Sequence, residues 1–155
     1  MGMLGRSFGL AESIVVVLIV ASLAAGVAPL YRGYAMNARS AEAKVVASSL
    51  WAAVEANALS ACGQSTAISG AYARAGLDST GSTIPPRWSV SAGGDRRVGI
   101  DCATGAITPG GDLFTLRGVS EDNRNIRVTL RHTQSEVPPS RYRCSRDAGV
   151  SFTDC

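Results

Sequence analysis

An α+β fold is expected from three features of the sequence. An uninterrupted apolar run lies near the N-terminus, an Ala-rich amphipathic stretch continues it, and short alternating runs separated by turn residues follow. Together they predict one long N-terminal α-helix, with its hydrophobic half protruding. Its amphipathic half packs against a small antiparallel β-sheet, and a C-terminal disulfide loop closes the fold. With 155 residues there is length for one domain beyond the helix, and that domain can bury only a modest core.

The helix comes first. Between Glu12 and Arg32 there are 19 residues without formal charge, enough to cross the hydrocarbon core of a bilayer. Arg6 on the N-terminal flank favours a cytoplasmic placement of that end. A secretory signal cut near Ala21-Ser22-Leu23-Ala24 is the competing reading. Against it, the helical pattern continues well past that point. Ala43, Val46, Leu50, Val54 and Ala58 recur at three- or four-residue steps, while Lys44, Ser48 and Glu55 fall away from that stripe. The expected helix therefore runs from about residue 8 to about residue 59, curved or kinked near Gly26, Pro29 and Gly33. Glu12 stands out at the edge of the apolar span. A carboxylate there either snorkels to the headgroups or has a specific partner.

Beyond the helix, residues 60–86 are rich in Gly, Ser, Thr and Ala and read as a connecting loop. Strands are expected over residues 87–91, 98–102, 113–117 and 126–132, with turns at Gly93-Gly94-Asp95, Thr104-Gly105, Pro109-Gly110-Gly111 and Glu121-Asp122-Asn123. The last strand alternates Ile126, Val128 and Leu130 with Arg127, Thr129 and Arg131. Pro138-Pro139 opens an irregular C-terminal stretch.

The four cysteines, Cys62, Cys102, Cys144 and Cys155, contain no C-x-x-C pair, and the single His132 has no cysteine near it. Zinc spacing is therefore absent, and the cysteines read as disulfides in an oxidising compartment. Four cysteines allow three connectivities. The pairing Cys62–Cys102 with Cys144–Cys155 is favoured because the second pair closes a short C-terminal loop. No nucleophile–base pair, phosphate-binding loop or metal cluster is apparent, so neither an enzyme nor a cofactor is expected. Trp51 and Trp88 read as core or interface anchors.

Net charge is +3, carried almost entirely by arginine and interleaved with acids, which describes a mixed solvated surface. Within it Arg127 and Arg131 fall on one face of their expected strand. Arg141, Arg143 and Arg146 are candidates to join them in a nucleic-acid patch, whose binding to DNA would weaken steeply with salt.

Phe8-x-Leu10-x-Glu12 followed directly by an apolar helix resembles the processing and assembly signature of type IV pilins. Pro29-Leu30-Tyr31-Arg32-Gly33-Tyr34 is similar to that family's Pro-x-Tyr-x-x-Tyr, and Ala38-Arg39-Ser40 to the Ala-Arg-Ser that commonly follows. Cys144 and Cys155 resemble the disulfide loop of many pilin heads. Ser7 stands where the family has Gly.

The resemblance implies a leader over residues 1–7, cut between Ser7 and Phe8 by a prepilin peptidase, and methylation of Phe8. It implies a transmembrane, later filament-core, helix half over residues 8–33 and a globular head over residues 34–155. That head comprises the amphipathic helix half, the loop 60–86, the sheet and the loop 144–155. Glu12, Pro29, Tyr31 and Tyr34 become assembly residues. The implied partners are identical subunits in a helical filament, the inner-membrane assembly machinery and, before assembly, membrane lipid. The implied location is the inner membrane and then a surface filament serving adhesion, twitching motility or DNA uptake. A type II secretion pseudopilin and a DNA-binding minor pilin are the alternatives within this frame. A signal-anchored domain that never polymerises is the alternative outside it.

Overall fold

The computed structural model describes residues 9–91, 96–132 and 141–155. Its backbone divides into two compact units, the N-terminal one ending at Asn37 and the other spanning Ala38–Cys155. One helix, α1 (Leu10–Ser60), contributes to both.

In the N-terminal unit α1 is apolar on every side. Leu10, Ile14, Val17, Leu18, Leu23 and Leu30 are all more than half exposed, so no face of this segment is buried within the chain. The helix continues through Gly26, Pro29 and Gly33 without a break. Gly9 caps it: its carbonyl accepts the N–H groups of Glu12 and Ser13 at 3.0 and 3.2 Å. The hydroxyl of Ser22, polar within the apolar run, donates to the Ile19 carbonyl at 2.8 Å and so is satisfied by its own helix.

In the second unit α1 is amphipathic. Ala43, Ala47, Leu50, Trp51, Val54 and Ala58 are buried and Val46 is partly so, which matches the expected stripe and adds Ala47 and Trp51 to it. Alanine at three of these positions lets the helix backbone approach its neighbours closely, and Trp51 fills the wider space.

The strands form two antiparallel sheets where the sequence suggested one. The smaller contains β1 (Thr66–Ala67), β3 (Arg97–Ile100) and β4 (Ile107–Thr108), in the order β1-β3-β4. The larger contains β2 (Trp88–Ser91), β5 (Gly111–Gly118), β6 (Arg127–His132), β7 (Arg141–Ser145) and β8 (Thr153–Asp154), in that order across the sheet. Its inner face carries Trp88, Val90, Phe114, Leu116, Val128, Leu130 and Cys144, which share one core with the α1 stripe. Register sets that face: Val90 pairs with Leu116, Leu116 with Val128 and Val128 with Cys144. A bulge between Asp112 and Phe114 explains why Leu113 and Phe114 are both buried despite being consecutive.

Two expectations need correction. The C-terminal stretch is less irregular than its prolines suggest, because β7 and β8 extend the sheet. The inward positions of β7 are only Tyr142 and Cys144, set between arginines, and β8 has two residues, so neither shows a readable period. The segment 60–86 is also more than a connector. Ile68, Ala71, Tyr72 and Leu77 are buried, and two 3-10 turns, Ile68–Ala71 and Ala73–Ala75, shape it. Asp78 then orders the next bend, its Oδ1 accepting from the Thr80 and Ser82 N–H groups at 2.8 and 2.9 Å. The turn expected at residues 93–95 and the proline pair at 138–139 lie outside the described residues.

Polar tethers join the helix to the rest of the second unit. Arg39 donates to the Asp122 carbonyl at 3.0 Å, Arg87 meets Glu42 at 3.1 Å, and Lys44 Nζ donates to the Cys155 carbonyl oxygen at 2.7 Å. As exposed contacts each contributes about 1 kcal/mol or less. The covalent ties are stronger.

Candidate functional site

Two regions collect the residues singled out by the sequence: the start of α1 and the C-terminal edge of the larger sheet.

At the start of α1, Glu12 occupies the third helical position and its Oε2 accepts the Gly9 N–H at 3.1 Å. This is the return half of a capping box, the acid satisfying an N–H that the first turn leaves unpaired. Its charge also lies at the positive end of the helix dipole. Ser13 Oγ donates to the Gly9 carbonyl at 3.4 Å. The cleavage residues Ser7 and Phe8 lie outside the described residues. Pro29 lies within the α1 backbone. Tyr31 and Tyr34 are exposed, and Tyr34 lines a shallow notch with Leu30, Gly33 and Asn37. No Cβ added at Gly33 would meet another atom within 4 Å, so this notch has room for a side chain from outside.

The cysteines pair as favoured: Cys62 with Cys102 and Cys144 with Cys155, Cα atoms 5.7 and 5.5 Å apart. The first bridge closes a loop 40 residues apart in sequence and the second one 11 apart. In the chain-entropy model these stabilise by about 4 and about 3 kcal/mol.

The loop between β7 and β8 is organised by Asp147. Its carboxylate accepts from the hydroxyls of Ser145 and Ser151, each at 2.5 Å, and from the Ser151 N–H at 3.0 Å. Ser145 Oγ in turn accepts the Gly149 N–H at 2.8 Å. These donors, the Ser145 hydroxyl first, hold the Asp147 carboxyl well below the usual carboxylate range. Sequence reasoning missed this residue; the signal was Ser145-x-Asp147 followed four residues later by Ser151.

The sign of the linkage follows from that depression. A carboxyl whose folded pKa is lowered stabilises the fold fully above its unfolded pKa, and that contribution fades as pH falls below it. The protection factor of the Ser151 amide, its exchange rate compared with that of an unstructured amide at the same pH, should therefore be high at neutral pH and fall below about pH 4, the range of an unperturbed aspartate. Asp147→Asn should exchange faster at neutral pH and lose most of that acid response. An unchanged response in the variant would assign the behaviour to another carboxyl.

The arginines divide. Arg127, Arg131 and Arg143 lie on the outer face of the larger sheet, with Thr129 opposite Arg143, and register places Arg141 opposite Arg131. Arg146 follows the end of β7 and lines a separate recess with Cys144, Asp147, Ser151 and Thr153, so it is not brought onto that face. Arg117, which the sequence reading did not single out, is opposite Arg127. The Arg143 guanidinium sits 5.5 Å from the centre of the Phe152 ring, a cation–π contact.

Among the described residues no group of three or more His, Cys, Asp or Glu side chains could hold a metal ion. By length and composition α1 can cross a membrane. A scan against known protein families gives no match, and neither curated proteins nor solved structures match the chain.

Proposed function

We propose that the chain is the structural subunit of a type IV pilus, held in the inner membrane and then polymerised through α1 into a surface filament. The observation that carries this reading is the N-terminal unit: a helix exposed and apolar on all sides, with one acid, Glu12, in its first turn. Such a surface needs an apolar environment, which lipid supplies before assembly and neighbouring copies of the same helix supply after it. Cleavage before Phe8 creates a cationic amine close to Glu12. In the filament the amine of one subunit pairs with Glu12 of the next, which compensates two charges that are costly alone. The closed Cys144–Cys155 loop supports a pilin over a secretion pseudopilin.

N-terminal mass spectrometry of the material sheared from the cell surface tests location, cut site and methylation together. The expected result is a chain beginning at methylated Phe8. Recovery of a soluble chain whose first residue lies beyond Leu23 would overturn the proposal in favour of a signal peptide.

A further inference from the structure

The apolar half of α1 ends in two tyrosines and an arginine that neither capping nor core packing uses. Glu12 and Arg32 bound the uncharged stretch. With a rise of about 1.5 Å per residue they stand about 30 Å apart along α1, the thickness of a hydrocarbon core. With Glu12 at one boundary of that core, Arg32 falls at the other, where hydrocarbon gives way to headgroups. Tyr31 and Tyr34 flank it in sequence, with 72% and 74% of their surfaces exposed. Three positions apart, the tyrosines share one side of the helix, and Arg32 lies about 100° round from Tyr31.

Arg32 is exposed as well, and among the described residues no ion pair reaches it. Tyrosine joins an apolar ring to a polar tip, and arginine an apolar stem to a charged head. Both are best placed where an apolar medium meets a wet one. Beside Tyr34, the notch at Gly33 runs from Leu30 to Asn37. It is apolar at the end nearer the span and ends at an amide. A phospholipid presents its acyl chain, its ester carbonyls and its phosphate in the same order.

We propose that Tyr31, Arg32 and Tyr34 form a collar that binds phospholipid headgroups at one face of the bilayer and so fixes the depth of α1 before assembly. The proposal rests on the reading of α1 as a membrane span. The Arg32 guanidinium donates to phosphate oxygens, which its fork matches bidentately. The tyrosine hydroxyls donate to ester carbonyls while their rings lie among the upper acyl carbons, the level at which such rings collect in membranes. Gly33, without a side chain, leaves the notch open to a lipid chain lying along the helix.

The test reconstitutes the full chain in vesicles of equal parts phosphatidylcholine and phosphatidylglycerol. Tyr34→Trp keeps an amphipathic ring at its position and reports its depth through quenching by lipids brominated either near the glycerol or near the chain ends. Quenching of the unsubstituted chain is subtracted to remove Trp51 and Trp88. Leu18→Trp, within the apolar stretch, is the control for insertion. Chain-end bromines should quench the Leu18→Trp protein, and glycerol-level bromines the Tyr34→Trp protein. Adding Tyr31→Ala and Arg32→Ala to Tyr34→Trp should shift its quenching toward the chain ends, whereas adding Arg32→Lys should leave it in place. In solid-state magnetic resonance, dephasing of arginine guanidinium carbon by lipid phosphorus should fall in Arg32→Gln. Normal quenching of Leu18→Trp together with an unquenched Tyr34→Trp, or with a profile that the two alanines do not move, would overturn the collar alone. An unquenched Leu18→Trp would overturn the membrane span and the collar with it. Unchanged dephasing in Arg32→Gln would overturn the phosphate contact.

Discussion

Glu12→Ala should leave the protein in the membrane and abolish filaments. Under the proposed assembly the apolar span that lipid would hold is untouched, whereas the acid proposed to receive a neighbour's amine is gone. Removing one partner of a buried pair costs about 3–5 kcal/mol, so assembly should fall by roughly two to four powers of ten. The structure adds a second role that must be separated from the first, because Glu12 also accepts the Gly9 N–H of its own helix. Glu12→Gln makes the separation, since glutamine can serve in the same capping position but carries no charge. With pairing as the dominant role, the glutamine variant is as filament-deficient as the alanine one. Quantifying sheared filaments and membrane-retained subunit in both strains checks this; abundant filaments from Glu12→Gln would make helix capping, not charge, the essential contribution.

Gly118→Ala should unfold much of the larger sheet. Gly118 ends β5, and a Cβ there would run into the backbone carbonyl of Asn123 and come within 2.6 Å of its Cβ. The obstruction includes backbone, which cannot swing aside as a side-chain tip can. Asn123 is itself fixed, with 1% of its surface exposed and its N–H bonded to the Ser120 carbonyl at 3.0 Å. Relief would require the β5–β6 turn to move, breaking the bond from the Gly118 N–H to the Ile126 carbonyl. Overpacking of this kind costs about 3 kcal/mol or more. Urea denaturation of the full chain in detergent should show a clear drop in midpoint. Gly70→Ala is the control, because a Cβ there meets nothing within 4 Å and should change the midpoint little. Equal midpoints for the two variants would show that the turn adapts freely.

How far the fold was legible depended on how each element declares itself. The helix declared itself through composition and then through a three- and four-residue repeat, and its C-terminal limit agrees within one residue, Ser60 against an expected 59. Strand β6 was legible because Val128 and Leu130 alternate with arginines. Strands β1, β4 and β8 have two residues each, too few for any period to show. Burial of Ile68, Tyr72 and Leu77 was hidden by the Gly, Ser and Thr around them, and only contacts distant in sequence reveal it. The cysteine pairing was legible once the short terminal loop was weighed. Arg117 escaped notice although it sits at the end of an expected strand, because its relation to Arg127 depends on cross-strand register. Asp147 escaped for a similar reason: its donors are local, but their convergence on one carboxylate depends on how the loop is bent.

Lys44 is the sole lysine of the chain, and its amine is engaged with the carbonyl oxygen of Cys155. Any amine-directed dye or crosslinker thus has one side-chain target, and acylating it would dissolve the grip on the final residue. The labelled chain would then report on an altered C-terminal edge. A fluorophore for imaging is better attached through a cysteine introduced where the side chain is exposed, such as Val150, once the native bridges are shown to stay closed.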